Sequence, residues 1–206
     1  NKCQGDEILF MQEYPTTPEE AFISSGRPKF SIRSLRDYQT RTKPPIKTGY
    51  LRENEDGSVK FIDDPKGYIS IWKEPEEGMN YSIGADVAEG LASGDFSCAY
   101  VGNDEFDITA RWYGHIDPDL FGVELVKLAK YYNSAYLGVE NNNHGLTTIK
   151  AITKTEYWNL YHMKTFDKFS DMTTQKLGWN TNVRSKPLMI DKLSEFVRER
   201  YLGIYD

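Results

Sequence analysis

The sequence of 206 residues has few cysteines, no long apolar run and no excess of positive charge. Its two cysteines, Cys3 and Cys98, are too few and too widely spaced for a disulfide framework or a zinc site, which fits a reducing compartment. No stretch of about 18 apolar residues is present, so we predict no membrane-spanning segment. The first residues have neither a signal-peptide pattern nor an initiator methionine, so we expect a piece of a longer chain.

The net charge of −6 opposes binding to a polyanion, since proteins that bind nucleic acid usually carry a basic surface. The basic residues are nevertheless concentrated near the end of the sequence. Hydrophobic residues make up 39% of the chain and aromatic residues 14%, which is enough for one domain with a core. The basic residues concentrated near the end of the sequence are Lys164, Lys168, Lys176, Arg184, Lys186, Lys192, Arg198 and Arg200.

Residues 1–48 have short apolar runs interrupted by prolines, and we interpret them as a linker packed against a neighbour. Within them, Thr17, Pro18 and Glu20 have the spacing of a helix start. Extended patterns begin at residue 49, and the Asp56-Gly57 pair predicts a hairpin turn. We therefore predict one domain over residues 49–206 that begins with a β-hairpin extension.

The remaining elements follow the order β-β-β-α-β-α-β-α. Three short-linked strands predict an antiparallel meander, and the next short apolar run predicts a buried strand parallel to the first. This α/β order, with a mixed sheet, is the order of the ribonuclease H-like fold. The predicted strands are 81–88, 97–101, 108–113, 135–139 and 158–161, and the predicted helices are 117–133, 144–155 and 188–201, with Asp117 and Ser185 as N-caps.

Two carboxylates follow strands that lie side by side in this fold. Asp86 is near the end of the first strand and Glu140 follows the fourth. Two carboxylates that converge repel each other unless a cation lies between them, and oxygen ligands favour Mg²⁺ or Mn²⁺. The alternative for Asp86 is an ordinary strand-end residue whose oxygens accept hydrogen bonds from turn amides.

The polar segment after Glu140 includes Asn142 and His144. It is either a plain loop that caps a helix or a set of contacts to a phosphate backbone. His144 is either structural, a general acid or a phosphate contact. Asp95 either joins the metal site or only caps its turn. The two glycines before it lack the pattern of a phosphate-binding loop, so we predict no nucleotide site.

Four segments resemble phage terminase large subunits. Residues 13–26 are similar to the segment that joins the ATPase of that family to its nuclease. Residues 83–90 with Asp95 resemble the first acidic motif of the nuclease, and residues 138–145 resemble the second. Residues 176–187 resemble a later conserved stretch. Each motif alone is modest, but the four occur in order along nearly the whole chain.

The resemblance implies an endonuclease that cuts concatemeric viral DNA during packaging in the host cell cytoplasm. It implies Asp86 and Glu140 as catalytic ligands of two Mg²⁺ or Mn²⁺ ions. It also implies double-stranded DNA, a portal protein and a small terminase subunit as partners. The chain departs from the family pattern in one respect, because we expect the third acidic motif beyond residue 206.

The candidate DNA contacts are Lys176, Arg184, Lys186, Asn142 and His144. Two other functions remain open. A resolvase-type nuclease of the same fold uses similar carboxylates, although residues 13–26 argue against it. A non-catalytic module that grips DNA or docks on the portal agrees with the expected lack of a third carboxylate.

Overall fold

A seven-stranded mixed sheet forms the centre of the fold. The structure is a computed structural model that describes residues 28–141, 144–167 and 172–206, without the side chains of residues 165–167 and 172–174. The helix expected near Thr17 lies outside the described residues, as does Asn142. The strands are β1 Lys47–Glu53, β2 Val59–Asp63, β3 Ile69–Ile71, β4 Tyr81–Asp86, β5 Ser97–Asn103, β6 Ile108–Gly114, β7 Tyr136–Val139, β8 His162–Asp167 and β9 Met172–Leu177.

Four helices are described alongside these strands: α1 Ile32–Gln39, α2 Pro118–Tyr131, α3 Gly145–Lys154 and α4 Ser185–Glu199. The order of strands in the sheet is β2-β1-β3-β6-β5-β4-β7, in which β4 and β7 are parallel and the other pairs are antiparallel. The predicted meander and the parallel strand after it are therefore confirmed. None of the described helices combines the length and apolar character needed to cross a membrane.

The hairpin extension belongs to the same sheet, because β3 pairs with β6 and β1 pairs with β3. Lys47 and Thr48, which we expected in the linker, are the first residues of β1. Lys127 of α2 donates a hydrogen bond to the carbonyl oxygen of Leu51, which ties the extension to the helix over the sheet. The extension is thus part of the domain rather than a separate arm.

Alternation along β4 separates a buried face from an exposed face. Tyr81, Ile83 and Ala85 are buried, whereas the residues between them are exposed. The buried face packs with fully buried side chains of β6 and α2, among them Trp112, Phe121 and Leu125. Each such side chain contributes about 1.5–3 kcal/mol by leaving water. One face of the sheet is therefore the core, and the face with Asp86 is open.

Two predictions along the last third of the chain are wrong in detail. Residues 158–161 form no regular strand; Leu160 makes only an isolated parallel bridge with Leu137. The polar stretch that follows contains an antiparallel hairpin, β8–β9, which we did not predict. Its strands, HMKTFD and MTTQKL, have polar residues on both faces, so they lack the alternation by which a half-buried strand is identified.

The start of α4 also differs from the prediction that Ser185 is its N-cap. The cap residue is Arg184, and Ser185 is the first helical residue. The side-chain oxygen of Asn182 accepts hydrogen bonds from the backbone N–H groups of Arg184 and Ser185, at 2.9 and 3.1 Å. Asn182 therefore satisfies the free amides of the helix start. Asp117 does occupy the N-cap of α2, but its side chain makes no capping hydrogen bond.

Candidate active site

The two predicted carboxylates come together at one edge of the sheet. Asp86 is the last residue of β4, and Glu140 directly follows β7. The backbone N–H of Glu140 donates to the carbonyl oxygen of Ala85 at 3.0 Å, so the parallel pairing continues up to both residues. Because parallel strands end at the same edge, both side chains emerge there.

The Asp86 and Glu140 carboxyl groups lie close enough to affect each other through their charges and to share a hydrogen bond when one of them is protonated. Asp86 is exposed as a residue, yet its carboxyl group is partly desolvated by the chain around it. This desolvation raises the pKa of Asp86, and the negative charge of Glu140 and their hydrogen bond raise it further. A hydrogen bond from the Val87 backbone lowers the pKa of Asp86. The pair therefore favours a positive charge between its oxygens, either a proton or a cation.

The chemistry of the pair fits a hard divalent cation. Magnesium is commonly held by one or two carboxylates and retains several waters. Within the described residues, no group of three or more His, Cys, Asp or Glu side chains could hold a metal ion. Asp95 is close enough for its charge to raise the pKa of Asp86, although it contributes less to this pKa than burial, Glu140 or the Val87 backbone does. Asp86 and Glu140 thus suit one cation, and the described residues do not assemble a second ligand set.

Two glycines let the chain pack tightly around Glu140. A Cβ atom at Gly145, the first residue of α3, would overlap the carbonyl oxygen of Glu140. Gly178 has a φ of 81°, and a Cβ there would lie 2.6 Å from the carbonyl oxygen of Val139. Any other residue at either position would push the backbone beside Glu140 away.

The segment on the far side of Glu140 is residues 178–179. The backbone N–H of Trp179 donates to Val139 at 2.8 Å, and the N–H of Asn141 donates to Trp179 at 2.8 Å. These bonds continue the parallel pairing one strand beyond β7 and fix the backbone of Glu140 from its outer side. The hairpin β8–β9 leads directly into this segment.

A chain of amide side chains then connects the site to α4, and sequence reasoning missed it. Asn180 donates to the side-chain oxygen of Asn141 at 3.1 Å, and Asn141 donates to the Leu177 carbonyl at 3.1 Å. Ser185 donates from its hydroxyl to the Asn180 carbonyl at 2.8 Å. The only feature of the sequence that pointed to this network was the number of Asn residues within residues 176–187. This network holds the start of α4 close to Glu140.

His144 lies at the N-cap of α3, and its side chain makes no capping hydrogen bond. Its Nε2 atom is 3.3 Å from Oε1 of Glu89, which belongs to the loop after β4. Both side chains are substantially exposed, at 41% for His144 and 61% for Glu89. The contact joins the two loops that follow the carboxylate strands.

Three predicted DNA contacts lie on segments that flank residues 178–179. Lys176 is exposed near the end of β9, and Arg184 and Lys186 are exposed at the start of α4. None of the three forms an ion pair with residues 28–141, 144–167 or 172–206. Among the described residues, these three charges thus have no anionic partner. Lys164, in contrast, lies on the opposite face of the hairpin from Lys176.

Asp206 also lies on the open face of the sheet. Its carboxylate forms an ion pair with Arg111 and accepts a hydrogen bond from the Tyr100 hydroxyl at 2.9 Å. Burial raises the pKa of Tyr100 to about 12, with a further contribution from Asp206. Asp206 is therefore held by Arg111 and Tyr100 rather than by the carboxylate pair.

These features together define a ribonuclease H-like domain with an acidic pair at the edge of its sheet. Solved structures of the large terminase nuclease from thermophilic phage G20c have this fold. The form with bound magnesium has a TM-score of 0.52 and 15% sequence identity, covering 78% of this chain and 69% of that chain. The form with bound cobalt has a TM-score of 0.54, with the same identity and coverage. No family model and no curated protein matches the sequence.

Proposed function

We propose that the chain is a metal-dependent DNA endonuclease that cuts concatemeric viral DNA during genome packaging. The observation that carries this proposal is the contact between Asp86 and Glu140 at the ends of adjacent parallel strands. The fold shared with the G20c nuclease supports it, as do the divalent metals bound in those structures. The proposal includes a portal protein and a small terminase subunit as partners, and action in the host cytoplasm.

Asp86 and Glu140 are the residues that would hold Mg²⁺ or Mn²⁺. Such an ion supplies positive charge to the scissile phosphate and to the attacking and leaving oxygens. We propose two ions in the complete site, with Asp95 as a further candidate ligand. Gly145 and residues 178–179 keep Glu140 in place, because they pack on its backbone from both sides.

The proposed DNA path crosses the edge formed by Lys176, Arg184 and Lys186. These exposed cations can contact phosphates of the duplex, while Asn142 and His144 remain proposed contacts beside the carboxylates. The backbone N–H groups at the start of α4 are occupied by Asn182, so they are not free to bind a phosphate. Phosphate contact at this helix is therefore assigned to the Arg184 and Lys186 side chains.

Cleavage of supercoiled plasmid tests the proposal. We expect the protein to nick and linearise the plasmid with Mn²⁺ or Mg²⁺ and to be inactive in excess chelator. Asp86→Asn and Glu140→Gln should each lower the rate by orders of magnitude, because each removes a ligand charge while keeping the side-chain shape. Glu105→Gln is the matched control, since Glu105 is exposed in the β5–β6 turn, at the other end of these strands.

Cleavage that survives the chelator would refute the metal mechanism. Wild-type cleavage by a folded Asp86→Asn variant would remove that residue from the site. The second candidate is a non-catalytic module that grips DNA or docks on the portal. It predicts salt-sensitive DNA binding with no cleavage under any metal condition.

A further inference from the structure

An exposed pair of aromatic rings lies on the same open face as the carboxylates. Phe96 directly precedes β5, and Tyr113 lies on β6. Their ring centroids are 4.6 Å apart with an interplanar angle of 18°, so the rings are stacked. The ring of His115 packs against Phe96 at 3.9 Å. Although braced in this way, Phe96 remains 45% exposed and Tyr113 43% exposed.

The strand register places this pair close to Asp86. Cys98 of β5 is the direct partner of Asp86 on one side and of Tyr113 on the other. Residues directly opposite each other in a sheet point to the same face, and neighbouring strands are about 4.8 Å apart. The Tyr113 backbone is therefore about 10 Å from that of Asp86. Cys98, the residue between them, is half-buried. A Cβ at Gly84, two residues before Asp86 on this face, would contact nothing within 4 Å, so the surface beside Asp86 is open.

The charges on this face restrict what the rings can bind. Asp86, Glu140 and Asp95 repel a phosphate in the absence of a cation. The Arg111 guanidinium is 5.2 Å from the Tyr113 ring centroid, but its charge is paired with Asp206. A neutral, flat and exposed aromatic surface instead suits another neutral, flat group. Nucleobases stack on aromatic side chains in this way, with little dependence on sequence.

We propose that the Phe96–Tyr113 pair stacks on an unpaired nucleobase of the DNA strand that enters the carboxylate site. The inference takes its ligand class from the proposed nuclease function. In an intact duplex both faces of a base are covered by its neighbours, so the pair binds single-stranded or locally opened DNA. The alternative is a purely structural contact between strands, which stabilises the sheet without binding anything.

Binding of a single-stranded oligonucleotide that contains 2-aminopurine tests the inference in metal-free buffer. We expect stacking on the wild-type rings to quench the probe. Phe96→Leu and Tyr113→Leu keep apolar bulk but remove a ring plane, so single-strand affinity should fall by about 5- to 150-fold. Affinity for a duplex of the same sequence should change far less. Tyr113→Phe retains the ring and should bind as the wild type does.

Trp158→Leu is the matched control, because Trp158 is 75% exposed and precedes the segment beside β7 rather than the site. It should bind the single strand normally. The inference is overturned if the wild type does not quench the probe, or if folded leucine variants at Phe96 and Tyr113 bind normally. Equal losses for single strand and duplex would also overturn it, since they indicate a phosphate contact.

The inference and the proposed nuclease function fail in different ways. Asp86→Asn should bind the single strand at least as well as the wild type, because the substitution removes a negative charge from the same face. Loss of binding in the leucine variants together with no metal-dependent cleavage by the wild type would leave the stacking surface in place and refute the nuclease. Normal metal-dependent cleavage by the wild type, together with single-strand binding that does not depend on the two rings, would support the nuclease and refute the stacking surface.

Discussion

Asp86→Asn should make the metal-free protein more stable at neutral pH. Asp86 and Glu140 share a hydrogen bond when one of them is protonated, and burial together with the charge of Glu140 raises the pKa of Asp86. Ionising Asp86 at neutral pH is therefore less favourable in the folded protein than in the unfolded chain, which lowers the stability of the fold. An amide at the same position keeps the shape and the hydrogen bond while removing this cost.

The size of the effect follows from Coulomb repulsion. Two like charges about 4 Å apart repel by about 1 kcal/mol in water and about 4 kcal/mol at an effective dielectric constant of about 20. Asp86 is exposed, so a gain close to the lower value, about 1 kcal/mol, is expected. In a chain of this size, such a gain raises the melting temperature by about 2–4 °C.

The pH dependence separates repulsion from better packing. Well below about pH 4, the pKa of a free Asp carboxyl, Asp86 is protonated in both the folded and the unfolded state, so wild type and variant should be equally stable. The stability that the protonated carboxyl provides is lost as pH rises through its raised folded-state pKa. The advantage of the variant should therefore grow as pH rises above about 4 and level off once the pH exceeds the raised folded-state pKa.

Thermal unfolding followed by circular dichroism, from about pH 3 to pH 8 in the presence of chelator, measures this difference. Added Mg²⁺ should stabilise the wild type and reduce the gap, because an ion that binds only the folded state raises its stability. Glu105→Gln should show no comparable gain. A variant that is less stable at pH 7, or a gap that is the same at about pH 3 and pH 7, would refute the repulsion between Asp86 and Glu140.

Two further predictions concern the surroundings of the pair. Gly145→Ala should lower the free energy of unfolding by about 1–3 kcal/mol in urea titrations, because its Cβ would overlap the Glu140 carbonyl. Gly84→Ala, whose Cβ enters open space, should not lower the free energy of unfolding in this way. Equal losses of stability in the two variants would contradict the close approach of Gly145 to the Glu140 carbonyl. Neutralising Arg184 and Lys186 together should flatten the slope of log affinity for duplex DNA against log salt by about one to two units. An unchanged slope would place the duplex on another face.

The centre of the fold was predictable because its strands are strongly patterned. β4 alternates between buried and exposed residues, and β7 is a short apolar run between two helical patterns. The order of these elements leaves few topologies, and the position of Asp86 and Glu140 at strand ends follows from the parallel pairing. The pairing beyond β7 was predictable only in part. Residues 159–161 lie within the predicted strand 158–161, whereas residues 178–179 reach the same side of β7 only after the hairpin β8–β9.

The contacts that fix the site were beyond sequence reasoning for a different reason. Asn141 and Asn180 are 39 residues apart, and the bond between their side chains depends on the hairpin returning to the sheet. Arg111 and Asp206 are separated by 95 residues, and their pairing depends on the path of the chain after α4. Local pattern carries no information about such pairings. Residue type indicated that these groups need partners, but only the structure identifies the partners.

The acidic charge of the chain and its proposed DNA substrate are compatible once the positions of the cations are known. Several lysines far from the site are already neutralised, such as Lys47 by Glu74, Lys73 by Asp107 and Lys130 by Glu53. Lys176, Arg184 and Lys186 form no ion pair with the described residues and flank the segment beside Glu140. The net charge therefore sets how weakly the protein attracts DNA from a distance, while these cations decide where the duplex makes contact. Salt screens both the long-range field of the protein and the contacts between these cations and phosphates. Raising the salt concentration should therefore weaken duplex binding steeply, whereas stacking of a base on Phe96 and Tyr113 should persist.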